Sequence, residues 1–170
     1  MTKERLTTVH LRRGKEESLH RNHPWVFSGA IEHISENLAP LNEGDLVDVV
    51  TKQGEFIARG HWQIGSIAVR VLTFDEAEQI DQQWWNERVI TARRLRESLG
   101  MLSDASTTCY RLIHGEGDLL PGLVVDIYEQ TAVVQCHSVG MYRSRQSIAE
   151  AIHTAYGDDI VAIYDKSSQT

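Results

Sequence analysis

Over the first 74 residues the apolar positions come in short, valine-rich runs separated by turn residues. GDLVDVVT (residues 44–51) follows the turn signal Asn42-Glu43-Gly44 and predicts a strand. Gly54 splits TKQGEFIARG, so residues 46–50 and 56–58 are expected to pair as a hairpin. In SIAVRVLTF (residues 66–74), Ile67, Val69 and Val71 fall on one face and Ala68, Arg70 and Leu72 on the other, because successive strand side chains point to opposite faces. Several short strands spaced by turns predict a small β-barrel or sandwich.

Near Asp81 the period changes from two to 3.6. IDQQWWNERVITARRLRESLG reads as a helix over 81–99, with Asp81 as N-cap and Gly100 just past the end. Trp85, Val89, Ala92, Leu95 and Leu99 form one apolar stripe. Arg93, Arg94 and Arg96 lie mostly off it, and Trp84 and Trp85 are assigned to core and interface. The acidic DEAEQID before this helix reads as a linker, which places a boundary near Asp75 between units 1–74 and 75–170. Strands are expected near 110–113, 122–128 and 131–137, then a helix over 143–156 with Ile148, Ile152 and Tyr156 on one face, then a strand over 160–164. The order β-β-β-α-β implies an α+β layer. The chain reaches KSSQT with no turn or terminal element, so it is expected to continue past Thr170.

Composition adds bounds on function. Hydrophobic residues make up 41% and charged residues 24%, ordinary values for a chain that buries a core. No apolar run is long enough to span a bilayer, and MTKERLTTVHLRRGK lacks the apolar segment of a signal peptide. The expected location is therefore the cytoplasm, with Cys109 and Cys136 reduced. The net charge of −7 argues against a protein that coats nucleic acid along its whole surface. Residues 1–30, however, carry six Lys/Arg against three acids, a local +3 that leaves −10 on residues 31–170. Screening confines such a basic patch to about 8–10 Å, within which it can still bind phosphate.

Two stretches offer chemistry. RLIHGEGDLLPGLVVDIY (residues 111–128) holds His114, Glu116, Asp118 and Asp126, types suited to acid–base work or metal ligation. A zinc deaminase pattern would also need Pro-Cys-x-x-Cys, which is absent. Gly115, Gly117, Pro121 and Gly122 make a structural turn the better reading, with a hydrolase using His114, Glu116 and Asp118 as the rival. His20 and His23 lack further ligands nearby, so no metal site is expected. No glycine-rich nucleotide loop and no catalytic triad can be named. The second stretch is HRNHPWVFSGAI (residues 20–31). Arg21, His23 and Trp25, with Lys15 upstream, combine cation, hydrogen-bond donor and flat aromatic, the types that hold RNA backbone and bases. Val26 and Phe27 are assigned to the barrel core.

HPWVFSGAI, GDLVDVVTKQGEFIARGHW and SIAVRVL together resemble the N-terminal domain of the large-subunit ribosomal RNA cytosine-5 methyltransferases, and YRLIHGEGDLLPGLVVDIY resembles the same family's central domain. The resemblance implies an α+β chain: a PUA domain, a small β-barrel that binds structured RNA, then a central domain of β-β-α-β-β type. It further implies that the family's Rossmann-like domain, which holds S-adenosylmethionine and the catalytic cysteines, is absent from this segment. No catalytic residue and no cofactor would then lie in this chain, and neither cysteine matches a catalytic one. The family's loop usually reads Asp-Gly-Leu-Pro-Gly; here Leu119 stands where glycine is usual. The expected RNA face carries Lys15, Arg21, His23, Trp25, Arg59 and Arg70. Arg59 enters because Gly60 beside it could let RNA approach the backbone, and Arg70 because it points away from the apolar face. The expected partner is structured ribosomal RNA, with no membrane and possible homodimerisation. The expected function is the RNA-binding part of an S-adenosylmethionine-dependent 23S rRNA cytosine-C5 methyltransferase, inactive alone; the alternative is a stand-alone PUA-type adaptor.

Overall fold

The computed structural model describes residues 6–35, 40–102 and 107–167. The chain forms two compact units, residues 1–78 and 79–170.

The first unit is built on β1 (Thr7–Leu11), β2 (Trp25–Phe27), β3 (Ile31–Ile34), β4 (Leu46–Val50), β5 (Phe56–Trp62) and β6 (Ile67–Thr73). A short helix, α1 (Glu17–His20), lies between β1 and β2. The six strands form one sheet in the order β2-β6-β5-β4-β1-β3. The expected hairpin is β4–β5, and it runs on to Trp62. The two edge strands, β2 and β3, are joined by only Ser28–Ala30. Four residue steps reach at most about 14 Å. Five strand spacings would set the edges of a flat sheet about 24 Å apart. The sheet therefore curls into a barrel whose two edges the chain itself links, and Arg12 N–H donates to the Ala30 carbonyl at 2.8 Å, continuing the β1–β3 pairing beyond Leu11 and Ile31. Val9, Leu11, Val26, Val47, Val49, Ile57, Val69 and Val71 fill the interior, with Leu19 added from α1. Ala68 and Leu72 are buried too, so β6 is covered on both faces rather than on one.

The second unit begins with α2 (Gln82–Ser98). Asp81 caps it by accepting from Trp84 N–H at 3.0 Å. At the other end Gly100, at φ +77°, donates to the Glu97 carbonyl and Met101 to the Arg96 carbonyl, the paired bonds that close a helix through a left-handed residue. A four-stranded sheet follows, in the order β10-β9-β8-β7: β7 (Cys109–His114), β8 (Leu123–Tyr128), β9 (Thr131–Cys136) and β10 (Ala162–Asp165). The helical pair α3 (Val139–Arg143) and α4 (Arg145–Tyr156) crosses from β9 to β10, which run parallel. The order β-β-α-β-β is corrected here: three strands precede the crossover and one follows it. Ile148, Ile152 and Tyr156 are buried as expected. The Tyr156 and Tyr110 hydroxyls bond at 2.8 Å, and burial pushes both phenols above their usual range.

The α2 stripe needs a correction. Trp84, Trp85, Val89 and Ala92 are buried, but Leu95 and Leu99 are 46% and 63% exposed, and Arg96 is buried in their place. An arginine enters a core only against a partner that offsets its desolvation, and that partner is Asp118.

Candidate nucleic-acid interface

The segment RRGKEESLHRNHPWVF (residues 12–27) builds one face of the barrel residue by residue. Arg12 to Lys15 form a β-turn, Lys15 N–H donating to the Arg12 carbonyl at 3.0 Å, with Gly14 at φ +80°. The turn presents Arg13 and Lys15 to solvent, while Arg12 donates its Nε–H to the Ile31 carbonyl at 3.0 Å. One turn of helix follows. It ends at Asn22, whose φ of +59° places it in the left-handed region, where asparagine is the usual substitute for glycine. Asn22 N–H donates to the Leu19 carbonyl and His23 N–H to the Ser18 carbonyl. Pro24 stops the helix, and its carbonyl accepts from Val71 N–H at 2.8 Å, which docks β2 against β6.

The expected RNA-contacting residues do not all fall in one place. Lys15 and Trp25 line one cleft, together with Ser18, Leu19, Val26, Phe27, Gly29 and Ala30, with a volume of about 340 Å³. His23 stands beside it: its ring meets Trp25 edge-on at 5.7 Å and Phe27 at 6.1 Å, and its Nδ1 accepts from Trp25 N–H at 3.3 Å. Arg21 is exposed at the end of α1. Arg70 pairs in register with Trp25 on one side and His61 on the other, so the three share a face. It is half-buried and donates to Gln63 Oε1 at 2.8 Å.

Arg59 is corrected. It is 3% exposed, its Nε–H donates to Asp48 Oδ1 at 2.7 Å, and its Nη1 donates to the Glu78 carbonyl. Gly60 does allow a close approach, but the approaching backbone is that of Arg70 and Val71 in β6, not a nucleic acid. Phe27 is corrected in the opposite sense. Only Val26 anchors the Trp25–Phe27 strand inside; Phe27 is 47% exposed and its ring stands perpendicular to Trp25 at 6.2 Å. Strand alternation carries the signal, since a period of two puts Phe27 with Trp25 and against Val26.

The glycine-rich loop of the second unit is held by two arginine–carboxylate pairs. Asp118 accepts from Arg96 Nη1 and Nη2, the latter at 2.8 Å, and from His114 N–H at 2.6 Å. Asp126 accepts from Arg111 Nε at 2.7 Å and Nη2 at 3.0 Å, and this bond holds the Arg111 guanidinium even more firmly protonated. Both acids thus serve as anchors of β7, β8 and α2. Arg96 also donates Nε–H to the Arg111 carbonyl at 3.0 Å, so side chains cover backbone groups of the edge strand β7 that would otherwise invite strand addition. Among the described residues no group of three His, Cys, Asp or Glu is placed to hold a metal ion. Cys136 is buried, which pushes its thiol up, and Cys109 is exposed. Leu119 adopts φ +58°, where a side chain costs about 1–2 kcal/mol. Leu119→Gly is expected to stabilise the second unit by up to about 1 kcal/mol, because relieved strain exceeds the added unfolded-state entropy; thermal unfolding checks it, and a lower Tm would contradict it.

No helix among the described residues is long and apolar enough to cross a membrane. Residues 9–74 match the family model of the PUA-like domain. The chain is 40% identical over 158 residues to ribosomal RNA large subunit methyltransferase I of Salmonella paratyphi B and of Salmonella newport, a match that covers 92% of this chain and 38% of each relative. The chain thus spans well under half the length of these curated relatives. In fold it is similar to a solved structure from Streptococcus mutans described as a SAM-dependent methyltransferase, with a TM-score of 0.77 at 16% identity over 94% of this chain and 40% of that one. A methyltransferase solved in complex with SAH gives 0.78 at 16% identity, again over 94% and 40%. The chain carries a PUA-like domain and is homologous to ribosomal RNA large subunit methyltransferase I.

Proposed function

We propose that this chain is the RNA-docking part of an S-adenosylmethionine-dependent methyltransferase that modifies cytosine C5 in 23S rRNA. The observation that carries the reading is the basic and aromatic face on the PUA-like unit: Lys15 and His23 beside exposed Phe27 and half-buried Trp25, with Arg21 exposed at the end of α1. The homology to large-subunit rRNA methyltransferases supports ribosomal RNA as the partner, and the resemblance of residues 110–128 to the central domain supports cytosine C5. S-adenosylmethionine would supply the methyl group. The residues in hand offer it no glycine-rich strand-to-helix turn, so we assign its binding, and the chemistry, to the part of the relatives that this chain does not span. The expected location is the cytoplasm, where ribosomal RNA is modified.

The test is salt-dependent binding of an rRNA fragment to the full 170-residue chain. Removing one cation that neutralises a phosphate lowers the log–log salt slope by about 0.7–0.9. Lys15→Ala with Arg21→Ala is expected to weaken binding at low salt and to reduce the slope by about 1.4–1.8. An unchanged affinity and slope would place the RNA elsewhere.

A further inference from the structure

We propose that the cleft between α1 and the β2–β3 connection receives one unpaired nucleotide of the RNA, so that the chain selects RNA with a bulge, loop or free end over uniform duplex. The inference rests on the RNA-docking reading and names the class of RNA it serves. The cleft measures about 340 Å³, inside the range of small-ligand sites. Its floor is apolar and buried, Leu19 and Val26, each 2% exposed. Trp25 and Phe27 stand perpendicular to one another along one side. Lys15 and Ser18 contribute the polar groups.

This combination fits a base better than a phosphate backbone alone. Phosphates need cations and N–H donors, and gain nothing from an apolar floor with aromatic walls. A base has a flat π-face that stacks on aromatic rings whatever its identity. In a continuous duplex those faces are already stacked on their neighbours, and only an unpaired nucleotide offers one freely. Ser18 brings a hydroxyl that both donates and accepts, so the site tolerates any base. Charge agrees: residues 12–21 hold Arg12, Arg13, Lys15 and Arg21 against Glu16 and Glu17, and Lys15 stands at the cleft to meet the phosphate that follows the inserted base.

Gly29 supplies the test. Gly29 lines the cleft, a Cβ there would meet nothing within 4 Å, and its φ lies outside the left-handed range, so Gly29→Leu adds bulk at the cleft wall without straining the backbone. Two RNAs are compared with the full chain: a blunt perfect duplex, and the same duplex with one bulged 2-aminopurine nucleotide. Wild type is expected to bind the bulged RNA about tenfold tighter and to quench the 2-aminopurine fluorescence. Gly29→Leu is expected to bind both RNAs equally, at the wild-type duplex affinity. Phe27→Ala, a change at an exposed side chain, gives the same loss of preference by removing one wall and guards against a misfolded Gly29 variant. Equal binding of the two RNAs by wild type, or a preference that survives in either variant, overturns the proposal while leaving RNA docking intact. Failure to bind either RNA at low salt overturns both.

Discussion

Asp118→Ala is expected to cost the second unit about 3–5 kcal/mol, because it leaves a buried guanidinium without its counter-charge. The Asp118 carboxylate is 4% exposed and its Arg96 partner 10%. It accepts three bonds at once, two from Arg96 and one from the His114 backbone. Arg96 cannot escape to solvent, since its Nε–H is also bonded to the Arg111 carbonyl. For a unit of this size each kcal/mol moves Tm by about 4–8 °C, so a fall of at least about 12 °C is expected in thermal unfolding followed by circular dichroism. Replacing both partners with apolar residues of similar shape, Arg96→Met with Asp118→Leu, is expected to restore part of that stability, less the cost of the His114 N–H and Arg111 carbonyl that lose these partners. A single variant within about 1 kcal/mol of wild type would mean that the pair contributes nothing and that the loop is held by its turn geometry alone.

Gly60→Ala is expected to be as damaging in the first unit. A Cβ there would lie 2.7 Å from the Arg70 carbonyl carbon and 2.8 Å from Val71 Cα. Both are backbone atoms of a central strand, so no flexible side chain can move aside. The position coincides with the irregularity between Arg59 and Gly60 in the β5–β6 register, where the strands approach more closely than a side chain allows. A destabilisation above about 3 kcal/mol is expected. RNA binding should fall with it, although Gly60 lies outside the proposed face, since β6 also holds β2 and hence Trp25 in place. Chemical denaturation followed by tryptophan fluorescence checks the first part and titration with RNA the second. Tolerance within about 1 kcal/mol would show that the two strands can separate without cost. Gly29→Ala is the natural control, expected to be near neutral because its Cβ faces open space.

These two sites also mark where the amino-acid pattern misleads. The strands, α2 with its Asp81 cap and Gly100 exit, and the buried face of α4 follow from local periodicity and turn chemistry, which sequence displays directly. Arg96 and Arg59 read as surface residues because periodicity counts charge as a sign of solvent. Arg96 is buried against Asp118, 22 residues on and in a loop that no local pattern brings to α2. Arg59 is buried against Asp48, its cross-strand neighbour in the β4–β5 hairpin, a pairing that strand pattern alone does not read as an ion pair. The closure of the first sheet is hidden for the same reason. It depends on β1 pairing parallel to β4 and antiparallel to β3, contacts that cross long stretches of chain. At the candidate interface, Lys15, His23 and Trp25 are legible as residue types, and the structure brings them around one cleft. Phe27 is misplaced when it is grouped with Val26 as core, because strand alternation buries only Val26 of the pair.

The most direct test of the central claim is hydrogen–deuterium exchange of the full chain with and without large-subunit rRNA at low salt. If the basic and aromatic face docks the RNA, slowed exchange should be centred on residues 12–31, from the Arg12–Lys15 turn through α1 to the β2–β3 connection. Slowed exchange centred instead on residues 111–128, with residues 12–31 unchanged, would contradict the account and move the RNA to the second unit.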